Sequence, residues 1–304
     1  MGDLLKDKVA IITGSGGGIG RAEALAMARE GAKVVVNDYG VTREGAAPST
    51  GPAQAVVEEI KKMGGQAVAS FESVADFQAA KRIVETALDN FGRLDILVNN
   101  AAIFRDKLFW ELTEDDWDVV IAVILKGAFN MCRHAVPVMK KQKYGRIVNT
   151  TSSMWRNPEG RSNYAAAKGG LVSLTWDLAW ELRNDGITTN AIGPFAIGRN
   201  NQAALAHDKM MAEMGLTKEK RPHQWRASPE CVAPMVVYLA SDLAGDVNGR
   251  VFWVAGGSIT MYSHPEELRG IYKDKKDGPW LVEELQDLLP RTILGKDTKA
   301  PHIP

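Results

Sequence analysis

Lys8–Gly20, KVAIITGSGGGIG, reads as a short buried strand that turns through clustered glycines straight into a helix. Val9 to Ile12 is a continuous apolar, β-branched run, the pattern of a strand covered on both faces. Glycines let the backbone approach a bulky anion closely. The helix that follows presents free N–H groups and a partial positive charge, so Gly14, Ser15, Gly18, Ile19 and Gly20 are candidates to hold a phosphate. The spacing is not G-x-G-x-x-G, and a plain strand-to-helix turn is the competing reading.

Outward from this turn the same unit repeats. Apolar bursts at 33–37, 66–72, 94–99, 146–150, 188–192 and 249–254 alternate with helical patterns at 52–63, 76–91, 114–140, 162–184 and 229–240. Strand–helix–strand repetition forces parallel pairing with right-handed crossovers. The expected fold is α/β, a doubly wound (Rossmann) seven-stranded parallel sheet in one domain, residues 1–262. Residues 195–228 are a candidate substrate lid, and 263–304 a C-terminal extension. Gly40–Gly51 reads as an enlarged loop.

Lys plus Arg and Asp plus Glu both number 37 in the 304 residues, so the net charge is zero. That balance disfavours nucleic acid and anionic membranes as partners. Cys132 and Cys231 are too few for a disulfide framework and lack metal-site spacing. The longest apolar stretches are shorter than a membrane span, no metal is expected, and a cytoplasmic location is expected.

Asp38 ends the second strand at the offset where a carboxylate accepts from an adenosine ribose, and it would repel a 2′-phosphate; this favours NAD over NADP. The alternative is an ordinary loop-starting Asp. Tyr164 and Lys168, four apart, share one helical face, and Thr151-Ser152-Ser153 follows a central strand on the edge that holds the glycine turn. Hydride transfer coupled to proton transfer wants these groups together. A phenol brought from its reference pKa of about 10 toward ~7 needs about 4 kcal/mol, much of which a neighbouring ammonium, aided by a cationic nicotinamide ring, can supply by charge attraction.

TGSGGGIG at 13–20, NNAA at 99–102, the Thr151–Ser153 step, YAAAK at 164–168 and NAIGP at 190–194 resemble, in order and spacing, the motifs of the short-chain dehydrogenases/reductases, over about residues 5 to 260. VVVNDYG at 34–40, FGRLDILVNNAAIFRDK at 91–107 and KKQKYGRIV at 140–148 are similar to its (3R)-hydroxyacyl-CoA dehydrogenase branch. The resemblance implies Ser152 as substrate orienter, Tyr164 as acid/base and Lys168 as its partner. It also implies an NAD site including Ser73, Val74, Asn99, Asn100, Ala101, Pro194 and Ile197, and a homodimer or homotetramer. It nominates a 3-hydroxyacyl thioester as substrate, while a cyclic or steroid-like alcohol would fit the chain's aromatic residues as well; NADPH-dependent ketone reduction and cofactor binding with little turnover are the alternatives.

Some positions depart from the family pattern: Ile124 replaces an Asn, Phe195 a Gly, Gly198 a hydroxyl residue, and Ser73 an Asp. Phe104, Trp155 and Phe195 are candidates to line an apolar substrate pocket, with ordinary packing as the other reading.

Overall fold

The computed structural model describes residues 2–41, 48–156, 160–196, 212, 227–267, 269–274 and 278–293. These form two compact units, Met1–Tyr262 and Ser263–Pro304.

In the first unit the strands are β1 (Val9–Thr13), β2 (Lys33–Asn37), β3 (Gln66–Ser70), β4 (Ile96–Asn99), β5 (Gly145–Thr150), β6 (Ile187–Phe195), β7 (Val251–Ala255) and β8 (Ser258–Tyr262). The helices are α1 (Gly18–Arg29), α2 (Gly51–Lys62), α3 (Phe77–Phe91), α4 (Glu114–Ile121), α5 (Gly127–Gln142), α6 (Ser162–Glu181) and α7 (Ala233–Ala240). The strands lie in the order β3-β2-β1-β4-β5-β6-β7-β8. The seven expected strands are all parallel; the eighth pairs antiparallel with β7, Val251 opposite Tyr262.

Alternation explains the layering. Ala10, Ile12, Val34 and Val36 pack with α1, α2 and α7 on one face, while Val9, Ile11 and Val35 pack with α3 and α5 on the other. Each such Val or Ile contributes roughly 1.5–3 kcal/mol on burial, so a sheet covered on both faces supplies the bulk of the core.

The rod expected over 114–140 is not one regular helix. A π-type turn, Ala122–Lys126, joins α4 to α5. Glu114–Gln142 as a whole is long and apolar enough to cross a membrane, yet α5 packs against α3, β4 and β5 as a core helix. Thr113 caps α4 by accepting from the Asp116 amide at 3.1 Å, while the Asp116 carboxylate accepts from Thr113 N at 3.0 Å and Lys107 Nζ at 2.7 Å.

In the second unit, α8 (Val282–Arg291) opens with Glu284 accepting from Leu281 N at 2.8 Å and from Lys273 Nζ at 2.6 Å. Residues 42–47 of the loop after β2, residues 197–211 and 213–226 of the candidate lid, and with them Ile197 and Gly198, lie outside the described residues.

Candidate active site

Two features converge at the carboxyl edge of the sheet, where the winding reverses between β1 and β4. One is the glycine turn. Gly14 has φ +64°, and a methyl there would meet Ala101 Cα at 2.8 Å; a methyl on Gly20 would meet Gly14 O and Asn100 Nδ2 at 2.5 Å. Only glycine fits either place. At Gly17, the N-cap of α1, and at Gly18, with φ +54°, an added methyl would meet nothing within 4 Å, and no side chain caps the helix. Free amides facing open space suit a phosphate.

Ser15 serves this turn from within. It is fully buried, and its hydroxyl donates to Ile12 O at 2.7 Å. Asn100 Nδ2 donates to Thr13 O at 2.9 Å and Gly14 O at 3.0 Å, stapling the turn to β4. Asp38 lies beside the turn, its Oδ2 accepting from Gly16 N at 2.8 Å and its Oδ1 from Gly40 N at 2.7 Å. Two amides thus orient a half-buried carboxylate at the mouth, fit to accept from ribose hydroxyls.

Ser73 Oγ accepts from Ala75 N at 3.3 Å, starting the turn before α3, and Val74 is buried against Gly127 with its carbonyl held by Asn130 Nδ2 at 2.8 Å. Asn99 is interior: its Nδ2 donates to Asn149 Oδ1 at 2.9 Å. Pro194 lies in β6 opposite Val254.

The second feature is the set Ser152, Tyr164 and Lys168. Lys168 is 1% exposed; its Nζ lies 5.4 Å from the Tyr164 ring centre and donates to the carbonyl of Thr150 at the end of β5. Burial pushes its amine down to about 7, because a low-dielectric surround disfavours the ammonium. Thr151 Oγ1 donates to Lys168 O at 2.7 Å, tying β5 to α6.

Ser152, 7% exposed, accepts from Met154 N at 3.3 Å. Its own proton goes to no described residue, leaving it available to a substrate oxygen. Thr151 is engaged by α6, so Ser152 is the better placed hydroxyl for that role.

Around this set the structure places the expected aromatics differently. Phe104 stacks on Tyr164, ring centres 4.7 Å apart and planes within 19°. Trp155 turns instead toward β8, edge-on to Tyr262, and Phe195 stacks on Trp253 at 6.3 Å. Ile124, in the π turn, is 2% exposed and shares a cluster with Tyr164, Ala167 and Leu171, so hydrocarbon closes that side.

Three supports escaped the sequence reading. Asn163, fully buried, donates to Asp116 O at 3.0 Å and Arg105 O at 3.2 Å and accepts from Tyr164 N at 2.7 Å. Thr13 Oγ1 accepts from the amides of Asn100 and Ala101 at 3.0 and 3.1 Å and donates to Val98 O at 3.2 Å. Asn130 fixes the Val74 loop. For each, the only sequence signal is a polar residue beside a motif or inside a core helix.

Residues 14–258 match the family model described as Enoyl-(Acyl carrier protein) reductase. The chain is 40% identical over 257 residues to a putative short-chain type dehydrogenase/reductase of Mycobacterium tuberculosis, covering 84% of each. It is 40% identical over 259 residues to a 3-oxoacyl-[acyl-carrier-protein] reductase of Synechocystis, covering 84% of this chain and 98% of that one. It is also 39% identical over 282 residues to the mouse peroxisomal multifunctional enzyme type 2; that match covers 92% of this chain but 36% of the longer protein. A crystal structure of a short chain dehydrogenase from Mycobacterium avium superposes with a TM-score of 0.76 at 41% identity, covering 93% of both chains.

Proposed function

Because the chain belongs to the short-chain dehydrogenase/reductase family, an oxidoreductase family, we propose that it moves a hydride between NAD and a secondary alcohol or its ketone, a 3-hydroxyacyl thioester being the first substrate to test. The observation that carries this reading is the placement of Tyr164 and Lys168 on one face of α6, beside the end of β5 and on the sheet edge that also presents the open glycine turn.

The bound nicotinamide supplies the hydride acceptor or donor. The chain's own residues do the rest. Ser152 donates to the substrate oxygen and holds it at Tyr164 Oη, which takes the hydroxyl proton in oxidation and returns it in reduction. Lys168 would hold the nicotinamide ribose hydroxyls, and in its ammonium form it would favour the phenolate by charge attraction. The amides at Gly17 and Gly18 hold a phosphate, and Asp38 receives the adenosine ribose. Support for NAD comes from Asp38, whose carboxylate would lie against any 2′-phosphate.

Exposed aromatic side chains on the outer helices, Trp117, Phe129 and Trp180, support a homodimer or homotetramer.

The test is direct. Purified protein with NAD and a panel of 3-hydroxyacyl-CoA thioesters, cyclic alcohols and steroid alcohols yields NADH, and Tyr164→Phe abolishes it while NADH still binds. Asp38→Ala narrows the preference for NAD over NADP by tenfold or more. NADPH oxidation that is faster than NADH oxidation, and unchanged in Asp38→Ala, would sink the cofactor assignment.

A further inference from the structure

We propose that Tyr262, at the end of β8, is a positioning residue for Ser152: it braces the turn that carries the serine, and the activity depends on its ring. This rests on the dehydrogenase reading above.

Ser152 is joined to α6 through the 3₁₀ turn Ser153–Trp155. Its hydroxyl caps that turn by accepting from Met154 N, so the direction of the hydroxyl follows the position of the turn. The turn is gripped from one side by a single ring. Trp155 meets Tyr262 edge-on, centres 5.6 Å apart and planes at 86°, and the next residue, Arg156, sets its guanidinium carbon 5.1 Å from the same ring centre. A perpendicular aromatic pair and a cation over a ring are both directional contacts, so together they fix Trp155 and Arg156 in angle as well as distance.

The opposite sides are fixed by bare backbone. A methyl on Gly169, the residue after Lys168, would stand 3.9 Å from Trp155 Cβ, and one on Gly193 of β6 would meet the Ser152 carbonyl carbon at 3.3 Å. The turn therefore rests on α6 and β6 and is closed by β8.

Tyr262 is itself held by antiparallel pairing with Val251 and by packing with Val172 and Trp155. The rest of β8 has no comparable anchor, since Ile259 and Met261 are more than half exposed. The strand's one packed aromatic reaches the serine turn, more than 100 residues away in sequence. A misplacement of about 1 Å in a reacting constellation costs on the order of a hundredfold in rate, so loss of a brace that permits a fraction of that drift should be readily measured.

The experiment compares Tyr262→Phe, Tyr262→Leu, Tyr262→Ala and Arg156→Ala in the full chain, with NAD and 3-hydroxybutyryl-CoA, or the best alcohol of the panel above, as the probe pair. The expected result is a kcat about tenfold lower in Tyr262→Ala and Tyr262→Leu, with KM for NAD within twofold of wild type. Tyr262→Phe retains kcat within threefold, and Arg156→Ala, a change at an exposed residue that leaves the core untouched, shows a smaller loss in kcat alone. A role limited to packing would be rescued by Leu and would move KM with kcat. Rescue by Leu, a Phe variant as slow as Ala, or kcat within twofold of wild type in Tyr262→Ala overturns the inference while leaving the dehydrogenase reading intact. Absence of turnover in the wild-type chain overturns both.

Discussion

Replacing Lys168 by Met should stabilise the protein while abolishing catalysis. The amine is buried, with Thr150 O as its acceptor, and moves from an ordinary 10.5 to about 7. Below pH 7 the unfolded and folded chains both carry the proton; between about 7 and 10.5 only the unfolded chain does. Native stability lost to this burial is therefore largest at and below pH 7 and fades as pH rises toward 10.5. At about 1.4 kcal/mol per pH unit the deficit is at most about 5 kcal/mol.

Met fills nearly the same volume and removes the charge, but it leaves the Thr150 carbonyl without its donor, a loss of about 1–3 kcal/mol. The net expectation is a gain of about 2–4 kcal/mol at pH 6.5, shrinking by 2 kcal/mol or more at pH 9. Urea unfolding of both cofactor-free chains at the two pH values reads this directly. A Met variant less stable than wild type at pH 6.5, or a difference that does not change with pH, would refute the reasoning.

Glu23 gives the mirror case. It is fully buried in α1, neither oxygen has a partner among the described residues, and burial pushes its carboxyl up to about 8. Its deficit grows as pH rises from 4.5 toward 8, so Glu23→Met should gain about 2–4 kcal/mol at pH 8 and little at pH 4, measured by urea unfolding at each pH. Asp116 is held down at about 2 by Lys107 and by Thr113, a contribution present at neutral pH and lost as pH falls from 3.8 through 2. Asp116→Asn should unfold more readily at pH 7, with the gap to wild type closing in acid-denaturation curves near pH 2. Gly20→Ala forces a methyl onto Gly14 O and Asn100 Nδ2 and should cost about 1–3 kcal/mol in the same assay. Gly17→Ala, where a methyl meets nothing, should leave stability unchanged and weaken NADH binding measured by fluorescence.

The parallel strands were legible because each is a short, β-branched run bounded by turns, a pattern that burial on both faces demands. β8 was not: SITMY is an exposed edge strand whose pairing is decided by β7 rather than by its own periodicity. The π turn at 122–126 leaves no mark in composition, since it differs from an α-helix only in which carbonyl each amide meets. At the site, Tyr164 and Lys168 were read from their four-residue spacing, and the glycines from their cluster between a strand and a helix. What spacing could not show was direction: Trp155 and Phe104 both follow strand ends, yet one packs against β8 and the other on the Tyr164 ring. Glu23 is buried because α1 is covered by the sheet on one side and α7 on another.

The hydroxyl of Thr13 joins the last residues of two neighbouring strands at the point where their following helices part to opposite faces. A crevice opened there has a floor that cannot spread, because the same oxygen clasps both banks. A dinucleotide arriving at such a place finds its berth already set and has little ordering of the polypeptide to impose. Beyond the ladder that pairs β1 with β4 and the Asn100 staple, this hydroxyl adds a third tie at the strand ends, and a methyl-for-hydroxyl exchange, Thr13→Val, should loosen the berth.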